Sequence, residues 1–284
     1  MQRQPARIPN PELSLGPIFQ DIRDTFQISW TPWIFEELGE IPEYVRIAWS
    51  ELKPVASTAQ FFRAAETLYC NAMDDTADMY SPSYGVGDLQ QLGVALDDLS
   101  EVRIALTALL FGGAQALLAV EALRLGIGGQ VPGRPRPEYW PRSRTTWNTE
   151  LIPRVDVNAA GQIVRRVFAE ARRVLSFAQE PLSLGVIGQF PRYLRIAWAD
   201  VKSLLTTDEF AASVNDMISE AEQLATNLPR QIAVTPECLM KAGLTERELH
   251  RVREILKASE DRLANELMLT ALLRYPLGSL RGGF

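Results

Sequence analysis

Apolar residues recur at helical spacing along most of the chain. In residues 41–54, IPEYVRIAWSELKP, a stripe of Ile41, Val45, Ala48 and Leu52 runs down one side, with Trp49 beside it. Glu43, Arg46, Ser50 and Lys53 fall opposite, facing water. Pro42 stands where a first helical turn tolerates a missing N–H. The stretch returns at residues 190–203 as FPRYLRIAWADVKS, offset by 149 positions, with seven of fourteen residues identical. Phe190, Leu194, Ala197, Val201 and Trp198 repeat the stripe, and Pro191 repeats the proline. The same face is thus written twice, which predicts an internal duplication. Two copies with apolar stripes pack most simply about a pseudo-twofold axis, and a crevice between them is the natural ligand site.

The flanking pattern extends the correspondence. Residues 16–30 read as an amphipathic helix matched by 161–175, and the second helix after 59 is echoed after 208. Thr58 and Thr207 stand in capping positions. Gly93 pairs with Gly243 at offset 150, and residues 116–123 match 266–273 as a closing helix. Each copy therefore holds about five helices of roughly 10–20 residues. No stretch sustains an alternation of period two, so the fold class is all-α, two pseudo-symmetric helical repeats. The domain reading is repeat one over 1–125, a linker over 126–155 and repeat two over 156–284, in one compact pseudo-dimeric body.

The linker is rich in proline and glycine, which forbids a regular helix. It also carries Arg134, Arg136, Arg142 and Arg144 beside Tyr139, Trp140 and Trp147. Such a mixture can bind a nucleic-acid strand. A net charge of −6 argues against that partner and against an anionic membrane, and the aromatics are read as pins across the two copies.

Residues 104–120 are uncharged for seventeen positions, at the lower edge for a membrane span. The matched segment 255–270 carries five charges, so both are read as buried core helices. Cys70 and Cys238 fit no metal or disulfide spacing, and the N-terminus has no continuous apolar segment. The expected location is the cytoplasm.

W-x-x-aromatic at Trp30 and Trp33, followed by P-x-Y-L/V-x-x-A-W, in a duplicated helical chain resembles the group I (DL-type) 2-haloacid dehalogenases. The resemblance covers most of both copies. It implies a pseudo-dimer with its site between the repeats, where a carboxylate activates water to displace halide at C2 with inversion. It implies no ester intermediate, metal or organic cofactor, and two aromatics, matched by Trp30 and Trp33, walling the halide and alkyl group. The position matched to the family's catalytic aspartate reads Ser183, and the serine before it reads Leu182. An expected asparagine reads Gly113 and an expected tyrosine reads Ser259. A serine near its free pKa cannot serve as base toward water as a carboxylate can. The catalytic candidates are therefore Ser183 and, as a substitute carboxylate, Glu180. Trp30, Trp33, Gly113, Leu182 and Ser259 are the substrate-binding candidates. The replacements by smaller residues predict a wider pocket and a bulkier, more apolar ligand.

Other chemistry is weaker. Asp74, Asp75 and Asp78 form a DDxxD pattern that in class I terpene synthases holds Mg²⁺ on a diphosphate. Asn215 and Ser219 match half of a second metal motif, but Gln223 stands in its glutamate place. His250, the single histidine, lies in a charged helix and forms no nucleophile pair. Glu51 and Asp200, at equivalent places after the repeated tryptophans, are candidates to face the crevice as paired carboxylates. The expectation is a hydrolase of 2-haloacid dehalogenase type, without cofactor or metal, taking a small molecule between the repeats. It has no nucleic-acid or membrane partner, and a homodimer is compatible with it. A non-catalytic binding or scaffold protein on the same fold and a Mg²⁺-dependent prenyl-diphosphate enzyme are the alternatives.

Overall fold

The computed structural model describes residues 14–134 and 154–278. Among these residues six α-helices precede the linker: α1 (Gly16–Phe26), α2 (Trp33–Leu38), α3 (Pro42–Ala56), α4 (Ala59–Met79), α5 (Val86–Gln91) and α6 (Leu96–Ile127). Six follow it: α7 (Gln162–Leu175), α8 (Leu182–Ile187), α9 (Pro191–Val201), α10 (Asp208–Thr226), α11 (Pro236–Lys241) and α12 (Glu246–Arg274). Among the described residues there is no β-strand, so the fold is all-α. The sequence pattern underestimates both number and length. α2, α5, α8 and α11 are each single short turns of six residues, too brief for a periodic stripe. α6 and α12 run unbroken for 32 and 29 residues, because neither contains proline and each is supported along its length by the other.

α6 and α12 pack together as the central pair, with α4 and α10 against them. α6 is buried nearly all round, which explains why it is apolar on every side. By length and composition it could cross a membrane, but 89% of its apolar window is covered by the rest of the protein. It is the core helix expected for residues 104–120.

The organising stretches become α3 and α9, each with its proline in the first turn. Trp49 donates its indole N–H to Asp21 of α1 at 2.7 Å, and Lys53 reaches the same carboxylate at 2.8 Å. Trp198 donates to Glu170 of α7 at 3.0 Å, with Lys202 at 3.9 Å. Lys53, expected to face water, and its counterpart Lys202 therefore help lock each helix to the one before it. Thr58 and Thr207 cap α4 and α10 by accepting the amides of Phe61 and Phe210 at 3.1 and 3.2 Å.

Most of the predicted linker, residues 135–153, lies outside the described residues, including Arg136, Tyr139, Trp140, Arg142, Arg144 and Trp147. Its first part crosses to the segment after α10: Arg134 donates to Leu228 at 2.7 Å, and Ile232 donates to Pro132 at 3.0 Å. Gly133 makes this approach feasible. Its φ is +91°, and a Cβ there would lie 2.0 Å from the Arg230 carbonyl oxygen.

Candidate functional site

A crevice opens between α6 and α12 and is closed at its ends by the first residues of α2 and α8. α2 presents Trp33 immediately after Pro32, and α8 presents Leu182 and Ser183 immediately after Pro181. Trp30 closes a third side. α6 supplies Gly112 and Gly113, and α12 supplies Glu266 and Leu267. Five candidates from the sequence, Trp30, Trp33, Gly113, Leu182 and Ser183, thus line one cavity.

The cavity is narrow, about 30 Å³, which is room for about two waters. The small residues do not leave open space of their own, and the reason is visible. A Cβ on Gly112 would lie 2.6 Å from Cζ2 of Trp30, so the bare backbone there is already covered by the indole. A Cβ on Gly113 would meet Leu267 Cδ1 at 3.4 Å. Trp30 and Leu267 fill the volume that the glycines give up.

Glu266 is the carboxylate of this crevice. It is 8% exposed, and its Oε1 accepts Arg262 Nε at 3.1 Å. Burial pushes its pKa up, while Arg262, Trp33 and Arg154 pull it down. Burial wins, so the acid is weaker than an ordinary glutamate. Two donors in the same crevice are left over. Among the described residues, the buried hydroxyl of Ser183 and the buried indole N–H of Trp33 have no hydrogen-bond partner of good geometry, although Trp33 faces the Glu266 carboxylate. Buried polar groups are nearly always paired, so two orphans beside one carboxylate mark a place built for something else.

The other candidates lie elsewhere. Glu180 is not in the crevice. It pairs with Arg172 at 3.5 Å, half-buried at the end of the loop before α8. Ser259 is buried, but its hydroxyl donates to the Ile255 carbonyl at 2.6 Å, and it lines a separate outer hollow of about 330 Å³. Arg262 is the partition between the two spaces. Its guanidinium sits 4.0 Å over the Trp33 ring and 5.5 Å from the centre of the Phe177 ring. Trp33 lines both the inner crevice and the outer hollow.

Glu51 and Asp200 do not face the crevice as a pair. Each is used up on a loop amide, Glu51 on Ala233 at 3.1 Å and Asp200 on Ser83 at 3.1 Å. His250 is exposed and pairs with Glu254 at 3.3 Å. Asp74, Asp75 and Asp78 end α4, and no group of carboxylates, histidines or cysteines among the described residues is placed to hold a metal ion.

Glu266 is the residue that sequence reasoning missed. Four positions after Arg262 it reads as an ordinary helix ion pair. The available signal was the repeat itself, because position 266 matches Ala116 at offset 150, a charge where the other closing helix is apolar.

A family model described as halocarboxylic acid dehydrogenase DehI matches residues 29–183, just over half of the chain. An (R)-2-haloacid dehalogenase of Pseudomonas putida is 20% identical over 246 residues, covering 85% of this chain and 82% of that one. Another from Rhizobium sp. (strain NHG3) is 23% identical, covering 74% and 82%. The crystal structure of a D-2-haloacid dehalogenase mutant matches with a TM-score of 0.85 over 93% of this chain and 92% of that one, at 20% identity. A complex of such a mutant with D-2-CPA gives the same TM-score at 21% identity.

Proposed function

We propose that this chain, which belongs to the DehI family, is a hydrolytic dehalogenase of short 2-haloalkanoic acids in which Glu266 is the carboxylate that activates water. The family description speaks of a dehydrogenase, whereas the relatives above are named dehalogenases, and halide removal is the reaction followed here.

One observation carries the reading: a buried carboxylate shares a crevice with two donors, Ser183 and Trp33, that make no hydrogen bond of good geometry among the described residues. A 2-haloalkanoate brings what each group lacks. Its carboxylate or its leaving halide accepts from the Ser183 hydroxyl and the Trp33 N–H. The water oxygen attacks C2 from the face opposite the halide as the C–X bond breaks, its electron pair leaving with the halide. Glu266 takes the proton, giving a 2-hydroxy acid of inverted configuration, halide and a proton, with no ester on the protein. A weakened acid, with pKa nearer neutrality, is the stronger base toward that water. Arg262 offsets the second negative charge that the substrate brings to Glu266. Trp30 and Trp33 wall the halide and alkyl group in a dry site where these charges count most.

The narrow cavity sets the substrate and the opening step. A three-carbon haloacid exceeds two waters, so Arg262 must swing out toward the Ser259 hollow, or Trp30 must tilt, to admit it. The ligand is therefore small rather than bulky. The test is chloride release from each enantiomer of 2-chloropropionate, with the configuration of the lactate determined. Turnover with inversion supports the reading. No chloride from any haloacid of two to four carbons overturns it and leaves the fold as a binding protein.

A further inference from the structure

We infer that the cleft beneath the C-terminal end of α12 is a second binding site, for an amphipathic monoanion with a carboxylate head and an apolar body. The cleft measures about 760 Å³ and lies between α4, the loop after it and the turn after α12. It is walled by Tyr69, Met73, Tyr84, Tyr275 and Pro276, and Arg274 lines it as its only cation among the described residues. The size and the largely apolar wall suit a small molecule.

Arg274 is the reason for the charge. It is only 5% exposed. Its Nε donates to the Thr107 hydroxyl and its Nη1 to the Gly278 carbonyl, both at 2.8 Å. Those neutral acceptors use two of the five N–H groups of a guanidinium. Among the described residues the groups that act on it are Tyr69, Tyr193 and a second cation, Arg103, with no carboxylate. Arg103 adds a buried Nε that has no acceptor. A buried cation without a counter-ion is costly, and here two cations neighbour each other. The C-terminal dipole of α12 offsets only part of a charge. Asp74 lies on the cleft wall, but it forms no ion pair with Arg274. A carboxylate there would satisfy the remaining N–H groups while its chain covered the tyrosines and Met73.

The site is separate from the Glu266 crevice and does not depend on the dehalogenase reading. Calorimetric titration with octanoate, and with 1-octanol as the neutral match, tests it on the full chain. Octanoate is expected to bind roughly tenfold or more tightly than the alcohol. Arg274→Met should lose at least roughly tenfold. Ala77→Trp fills the cleft from an exposed position and should lose as much with an unchanged unfolding midpoint. Octanoate should also slow maleimide labelling of Cys70, the thiol on the cleft wall, in a Cys238→Ser background. Equal binding of acid and alcohol, or wild-type affinity in both cleft variants, overturns the proposal. So does loss of octanoate binding on Glu266→Gln, which would place the anion in the other crevice.

Discussion

Glu51 accepts the backbone N–H of Ala233 at 3.1 Å, 182 residues away in the second half of the chain. Asp200, its counterpart in the repeated stretch, accepts the N–H of Ser83 at 3.1 Å and the hydroxyls of Ser83 and Tyr80, back in the first half. Ser83 and Ala233 are themselves 150 positions apart, and each half thus clamps a loop of the other. Burial pushes the Asp200 pKa up, but the hydrogen bonds from Ser83 and Tyr80 outweigh it and hold the carboxylate below its usual range.

Removing either clamp should loosen the seam between halves. Glu51→Ala and Asp200→Ala are each expected to cost about 1–3 kcal/mol, because a charged acceptor leaves loop amides unpaired. Urea unfolding measures this. A double variant losing no more than one single variant would show that the two clamps act as one contact.

The two adjacent glycines of α6 should respond with opposite sign. Gly112→Ala drives a methyl into Trp30 and is expected to destabilise by about 1–3 kcal/mol. Gly113→Ala meets Leu267 at ordinary contact distance and gains up to about 1 kcal/mol of helix propensity. Thermal unfolding of the pair separates a packing constraint from a mere lack of side chain.

The helices were largely legible in the sequence, since apolar spacing of three and four fixes which face each buries. The repeated tryptophans and lysines were legible as a repeat, but not their partners: Asp21 and Glu170 lie on preceding helices that periodicity alone does not bring near. In the site, Trp30, Trp33, Gly113, Leu182 and Ser183 share one cavity because they sit at helix starts and glycines that the motif marks. Ser259 and Glu180 fall outside it, the first behind Arg262, the second in an ion pair. Glu266 was hidden because an i, i+4 Arg–Glu pair looks the same in sequence whether it faces water or a crevice.

Glu121 makes stability depend on pH. It is fully buried on α6, with Arg124 at 2.8 Å, and Arg124 is shared with Glu222 of α10 and Glu260 of α12. Burial, with help from Glu260, pushes its pKa up to about 7. The folded state therefore binds a proton that the unfolded chain has released, and its contribution to stability is full at acid pH and lost as pH rises through about 7. Glu121→Gln keeps an acceptor for Arg124 and should flatten the fall in stability between roughly pH 5 and 7. Unfolding midpoints across that range check it; an unchanged slope would assign the pH dependence elsewhere.

Arg262 should matter both to stability and to the base. Arg262→Gln leaves the Glu266 carboxylate buried without its cation, at a cost of about 3 kcal/mol. Losing that cation should raise the Glu266 pKa further and move the acid limb of the pH–rate profile to higher pH. An unmoved limb would mean that the titrating group is not Glu266.

The most direct measurement sets two carboxylates against each other. Chloride release from 2-chloropropionate is followed for the wild-type chain, Glu266→Gln and Glu180→Gln under the same conditions. Loss of an activating base is worth roughly 10²–10⁴-fold, so Glu266→Gln should fall by that factor while Glu180→Gln stays within about threefold of wild type, the scale of a partly exposed ion pair. Full activity in Glu266→Gln, or its loss in Glu180→Gln instead, would contradict the account.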